Sequence, residues 1–178
     1  MNRREFLTGY FGPHRASIRP PGALPGDEFT AACSRCAACI EACPEHIIIR
    51  GSGRFPEIDF SQGGCTFCNA CAAACPDGAL VEFDTDTVPW DLKAGIGDTC
   101  LAVNAVTCRV CGDACNSAAI CFKLQPGGVA RPQINSETCT GCGECVAVCP
   151  VQSITMHRQP PAIANGDTPC PSSISVAC

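Results

Sequence analysis

Cys33-Ser-Arg-Cys36-Ala-Ala-Cys39-Ile-Glu-Ala-Cys43-Pro44 is answered further on by Cys65-Thr-Phe-Cys68-Asn-Ala-Cys71-Ala-Ala-Ala-Cys75-Pro76. Both stretches follow one rule, C-x2-C-x2-C-x3-C-P. Three thiolates so spaced fall on one tight loop, which can wrap three corners of a compact inorganic cluster while backbone N–H groups turn toward its sulfides. The fourth comes a helical turn later and points away. Proline directly after it lacks an N–H and cannot extend that turn, so the chain must leave there.

This spacing is the run of bacterial ferredoxins that hold two [4Fe-4S] cubanes, in which the last cysteine of each motif ligates the cluster of the other. Applied here, the rule predicts one cluster on Cys33, Cys36, Cys39 and Cys75 and a second on Cys65, Cys68, Cys71 and Cys43. Two rival readings fit the stretch less well. Structural zinc usually takes two separated Cys/His pairs and has no use for a third cysteine only two residues further on. A disulfide framework wants a secreted chain and an even cysteine count, whereas this chain has 19 cysteines.

Composition agrees with metal as a folding element. The apolar share of 46% includes the cysteines, and aromatics make up only 6% of the 178 residues. A conventional packed interior would be thin, so metal–thiolate bonds must supply much of the folding free energy. The formal net charge of -5 becomes more negative on assembly, since each oxidised cluster with four thiolates carries about -2. Nucleic acid is therefore not an expected partner. No run of about 18 apolar residues exists to span a membrane.

At the N-terminus, Arg3-Arg4-Glu5-Phe6-Leu7 looks like the start of a twin-arginine export signal. The apolar region that must follow is broken by Gly9, Gly12, Pro13, His14 and Arg15, so export is not expected. Residues 1–29 read as an extended basic arm, with Pro20, Pro21 and Pro25 opposing a helix. A first ferredoxin-type module is expected over 30–85. In it, His46 to Ile49 and Phe55 to Phe60 form a hairpin around Gly51-Ser52-Gly53, and Ala79 to Phe83 form a return strand. Pro56 suggests an edge strand. A linker is expected over 86–99, where Trp90 covers the joint between modules.

The second half repeats the first, over 100–158. Cys139-Thr-Gly-Cys142-Gly-Glu-Cys145-Val-Ala-Val-Cys149-Pro150 is a regular third motif, followed by a return strand from Ser153 to Met156. Ahead of it, Ala119 to Leu124 and Val129 to Ile134 make a second hairpin around Pro126-Gly127-Gly128. The separations Cys43–Cys65 and Cys115–Cys139 are nearly equal, which indicates an internal duplication and predicts a fourth motif upstream of Cys115. What stands there is Cys108-Arg-Val-Cys111-Gly-Asp-Ala-Cys115, with Cys100 displaced upstream and Asn116 in place of proline. The crossed rule then gives a third cluster on Cys100, Cys108, Cys111 and Cys149, and a fourth on Cys139, Cys142, Cys145 and Cys115. The alternative for this half is one cluster only, or a three-iron one. Cys121, in a predicted strand, reads as a packed thiol. Cys170 and Cys178 fall in a tail, 159–178, expected to be disordered. The fold class is thus α+β, two tandem two-[4Fe-4S] ferredoxin modules. No catalytic constellation and no Gly-rich phosphate fingerprint is present, so a carrier rather than an enzyme is expected.

The whole pattern resembles the NapF family, ferredoxin-type accessory proteins of periplasmic nitrate reductase systems. The residues that carry the resemblance are Arg3 to Gly9, the two motifs from Cys33 to Pro76, Trp90-Asp91-Leu92 through Ile96 to Ala102, Cys108 to Cys115, and Cys139 to Pro150 with Ser153-Ile154-Thr155. The Trp90 to Ala102 stretch with its displaced Cys100 makes the resemblance specific. It implies a cytoplasmic protein that binds the precursor of the nitrate reductase catalytic subunit before export and assists its maturation, by electron delivery or cluster assembly. A general electron-transfer ferredoxin subunit of another redox complex is the rival.

Overall fold

The structure, a computed structural model, describes residues 17–84 and 89–158. The Arg3-Arg4 stretch and the tail with Cys170 and Cys178 lie outside the described residues. In chain order the elements are helix α1 (Gly26–Ala32), helix α2 (Ala38–Glu41), strand β1 (Ile48–Arg50), a 3-10 turn (Ser52–Arg54) and strand β2 (Pro56–Ile58). Helix α3 (Ala70–Ala73), strand β3 (Leu92–Ile96), helix α4 (Val110–Asp113), strands β4 (Ile120–Leu124) and β5 (Ala130–Ile134), helix α5 (Glu144–Ala147) and strand β6 (Ile154–Arg158) complete them. The mixture is α+β, as expected.

The strands pair antiparallel in twos: β1 with β2, β4 with β5, and β3 with β6. Both hairpins lie where glycine-containing turns placed them. Ile48 opposes Ile58 in the first, and Ile120 opposes Ile134 in the second. Pro56 is accepted in β2 because its missing N–H costs nothing on that side of a two-stranded ribbon.

Three expectations are corrected. Residues 79–83 form no strand: Leu80 makes a single bridge with Ala23, flanked by Leu24 N–H to Ala79 O at 3.1 Å and Val81 N–H to Gly22 O at 2.8 Å. Only one ladder step fits, since Gly22 takes φ 75° there. The arm is not extended throughout either. It ends at Pro25, and Gly26 begins α1, which plants Phe29 at 1% exposure in the core. A proline suits a helix start because its missing N–H would be unpaired anyway. Finally, the stretch read as a linker contains β3, whose Leu92 opposes Arg158 and whose Ile96 opposes Ile154. Alternating burial of Leu92 and Ala94 against Lys93 is the pattern of a one-sided strand.

The interior is small, as the composition foretold. One cluster of buried residues centres on Phe29, Ile47, Ile58, Phe60, Leu80 and Leu92, and a lesser one on Ala94, Ala119, Ile120 and Ile154. Leu92, Val146 and Met156, from the later part of the chain, pack into the first. Trp90 is half-buried at this joint, edge-on to Phe60 and Phe67 with ring centroids 6.1 and 5.6 Å away, and its Nε1–H donates to Thr140 O at 3.1 Å. The expected covering role is the observed one.

Candidate metal centres

Four short helices carry cysteines inward: α2 carries Cys39, α3 Cys71, α4 Cys111 and α5 Cys145. α2 packs on α3, and α4 on α5. The loop before each regular helix has one backbone form. Two and four positions after its first cysteine the chain takes positive φ: Arg35 and Ala37, Phe67 and Asn69, Gly141 and Gly143. Alternation of this kind folds successive N–H groups into a concave ring that favours anions, the sulfides of a cluster among them. The loop from Cys108 lacks it, since Arg109 has φ -134°, in line with the displacement of Cys100. The exits are alike in all four runs. Three positions after the last cysteine, His46, Gly78, Ala118 and Gln152 all take positive φ. Ala118 N–H bonds to Cys115 O at 2.9 Å although Asn116 replaces proline.

These loops line four cavities that are partly open to solvent. The first is lined by Cys33, Cys36, Cys39 and Cys75, and the second by Cys65, Cys68, Cys71 and Cys43. The third is lined by Cys100, Cys108, Cys111 and Cys149, and the fourth by Cys139, Cys142, Cys145 and Cys115. The last cysteine of each run therefore faces the cavity of the other run in its half. Among the described residues no three Cys, His, Asp or Glu side chains converge as a single ion requires. Zinc at 2.3 Å from each sulfur would draw its thiolates to about 3.8 Å from one another. Sulfurs ranged around a cavity suit a multi-iron core instead.

The donor set also asks for a strongly positive core. Burial pushes the Cys39 thiol up to about 11, with Cys71, Cys33, Cys75 and Cys36 adding to it. Burial likewise raises Cys71 to about 11 and Cys111 to about 11, with Cys100 and Cys108 adding to the latter. Cys145 is pushed to about 12 by burial and then by Cys142 and Cys139. Cys65 reaches about 12 through burial, although the Phe67 N–H, 3.4 Å from its sulfur, pulls the other way. Four thiolates together in such a place are tolerable only around compensating iron, so the residues fit the group. A [4Fe-4S] core, when bound, supplies one-electron storage. The Phe67 N–H donates to Cys65 Sγ and the Ser153 N–H to Cys149 Sγ at 3.3 Å, bonds that would tune a cluster held there.

Several residues beside these cavities carry no sequence motif. Ser34 bonds to Asp77 at the first cavity, and Arg35 stacks on Phe55 with its guanidinium 4.5 Å from the ring centroid. Asn69 clamps the chain at Phe83, donating to its carbonyl at 2.7 Å and accepting its N–H at 3.3 Å. Buried Ser153 gives its hydroxyl to Gly97 O at 2.9 Å. Lys93 Nζ donates to Cys139 O at 2.5 Å. Each is a common polar residue until the fold brings its partner near. Cys121, half-buried in β4, is disulfide-bonded and not the packed thiol expected.

Family models agree with the geometry. Residues 28–80 match the 4Fe-4S dicluster domain and residues 132–155 the 4Fe-4S binding domain. Cys100, Cys108, Cys111 and Cys115 fall between the two. The chain is 42% identical to the ferredoxin-type protein NapF of Haemophilus influenzae, with 88% of this chain and 94% of that protein aligned. It is 44% identical to NapF of Escherichia coli K12, over 86% and 93%. It is 34% identical to the methylamine utilization ferredoxin-type protein MauM of Methylophilus methylotrophus, over 86% and 76%. By this similarity along nearly its whole length, the chain belongs to the NapF family of ferredoxin-type iron–sulfur electron-transfer proteins.

Proposed function

We propose that each of the four cavities holds a [4Fe-4S] cluster on its four cysteines, in two tandem ferredoxin-type units, one within residues 17–84 and the other within 89–158. Support for the duplication comes from the repeated loop and exit conformations and from the matching strand pairs. Each half has one hairpin, β1–β2 or β4–β5, and one closing contact, Ala23–Leu80 or β3–β6. The protein acts in the cytoplasm on the precursor of the periplasmic nitrate reductase catalytic subunit, binding it before export and delivering electrons or assisting cluster assembly. It has no substrate of its own.

The observation that carries this reading is the NapF similarity across 86% of the chain and more, together with a cysteine set at every cavity. Among the described residues no helix is long and apolar enough to cross a membrane. The test is anaerobic co-purification of the full chain with the reductase precursor and, separately, with its mature form. Retention of the precursor is the expected result. A second reading, a general electron-transfer subunit of another redox complex, is favoured by the MauM similarity. Failure to retain the precursor, with ready turnover alongside an unrelated reductase, would establish it.

A further inference from the structure

Two ligand loops from opposite halves of the chain touch through their backbones. The Cys65 N–H donates to the Cys142 carbonyl at 2.7 Å, and these cysteines line the second and fourth cavities. The contact is built from both sides. Gly64 is buried, and a Cβ there would stand 2.9 Å from the Glu144 nitrogen and 3.0 Å from its Cα. A Cβ at Gly143 would strike the Phe60 ring, and one at Gly141 the Leu92 carbonyl. The positive φ of these two positions does not itself require glycine, since Arg35, Ala37, Phe67 and Asn69 adopt it in the equivalent places. Close approach across the joint is what excludes a side chain. Trp90 ties the same two loops, resting on Phe67 and bonding to Thr140 O.

Inside each half the sets already adjoin, through α2 on α3 and α4 on α5. We propose that the Cys65–Cys142 contact joins all four cysteine sets into one electron path, in the order Cys33 set, Cys65 set, Cys139 set, Cys100 set. Across the joint the bridge is Sγ–Cβ–Cα–N–H of Cys65 to O=C–Cα–Cβ–Sγ of Cys142, covalent but for one hydrogen bond. Each step oxidises one cluster by one electron and reduces the next by one, with no bond made or broken and no proton moved. The path rests on the cluster occupancy proposed above and not on the identity of any partner.

The test uses the full chain purified anaerobically, with iron and sulfide counted first, so that a protein lacking clusters is recognised as a failure of occupancy before the path is judged. Electron paramagnetic resonance of the reduced protein is expected to show a spin–spin interaction between the Cys65 and Cys139 sets. Cys71→Ser, which takes a sulfur from the Cys65 set, is expected to remove that interaction from the Cys139 spectrum and leave its coupling to the Cys100 set. Gly64→Ala keeps every cysteine and is expected to weaken the interaction at full iron content, which decides the matter if Cys71→Ser does not fold. The path is overturned by a fully loaded wild type without the interaction, by a Cys139 spectrum unchanged in Cys71→Ser, or by an undiminished interaction in Gly64→Ala.

Discussion

Cys43 closes one run and faces the cavity of another, so its removal is expected to act at a distance in sequence. Cys43→Ser should empty the Cys65, Cys68 and Cys71 site, lowering iron to about three quarters, and leave the Cys33 site loaded. Iron counting with the spectrum of the remaining clusters checks it. Cys100→Ser should cost the same amount of iron, from the Cys108, Cys111 and Cys149 site. Retention of full iron in that variant would return Cys100 to an ordinary thiol. The thiols themselves set a pH dependence. A free cysteine thiol titrates at about 8.5, and burial in the fold raises Cys65 and Cys145 further, so at neutral pH iron must displace their protons. Protons compete with the metal, so reconstitution should release acid and its yield should fall as pH is lowered from about 8 to 6. A pH-stat trace of reconstitution reads this directly.

At the scale of elements, the joint is held by Trp90 together with Leu92 of β3. Trp90→Ala removes two edge-on ring contacts and the bond to Thr140 O. The expected cost is about 3 kcal/mol, seen as earlier thermal bleaching of cluster absorbance. Breaking the exposed Asp91–Arg158 pair should shift it little, since surface ion pairs are worth at most about 1 kcal/mol. The elements also show what was readable in the chain. Hairpins β1–β2 and β4–β5 were legible because glycine-containing turns separate short apolar stretches, Ile47–Ile49 and Ile58–Phe60 in the first and Ile120–Leu124 and Val129–Ile134 in the second. β3 was not, because Leu92-Lys93-Ala94-Gly95-Ile96 has weak strand propensity, and its partner β6 lies far along the chain. Nor was α1, whose prolines next door spoke for an arm. The cysteine groups were legible almost entirely, since ligand spacing is a local property, whereas Ser34, Asn69, Lys93 and Ser153 acquire partners only through the fold.

For the whole molecule, the scarcity of large buried side chains is decisive. Phe29, Ile47, Leu92 and Pro20 are the largest that are fully enclosed among the described residues, and several of the other buried residues are the cysteines themselves. Anaerobic chelation of iron is therefore expected to collapse the far-ultraviolet circular dichroism together with the visible bands, in one transition. Separate transitions would mean that the polypeptide holds its shape without metal.

Leu92 carries a last implication. It is paired with Arg158 of β6, yet it completes the core around Phe29 and Ile47. A protein severed between Phe83 and Trp90 would leave a wet hole in its leading fragment. Co-produced as two polypeptides, the fragments should seek each other out as a heterodimer, and either one made by itself should precipitate.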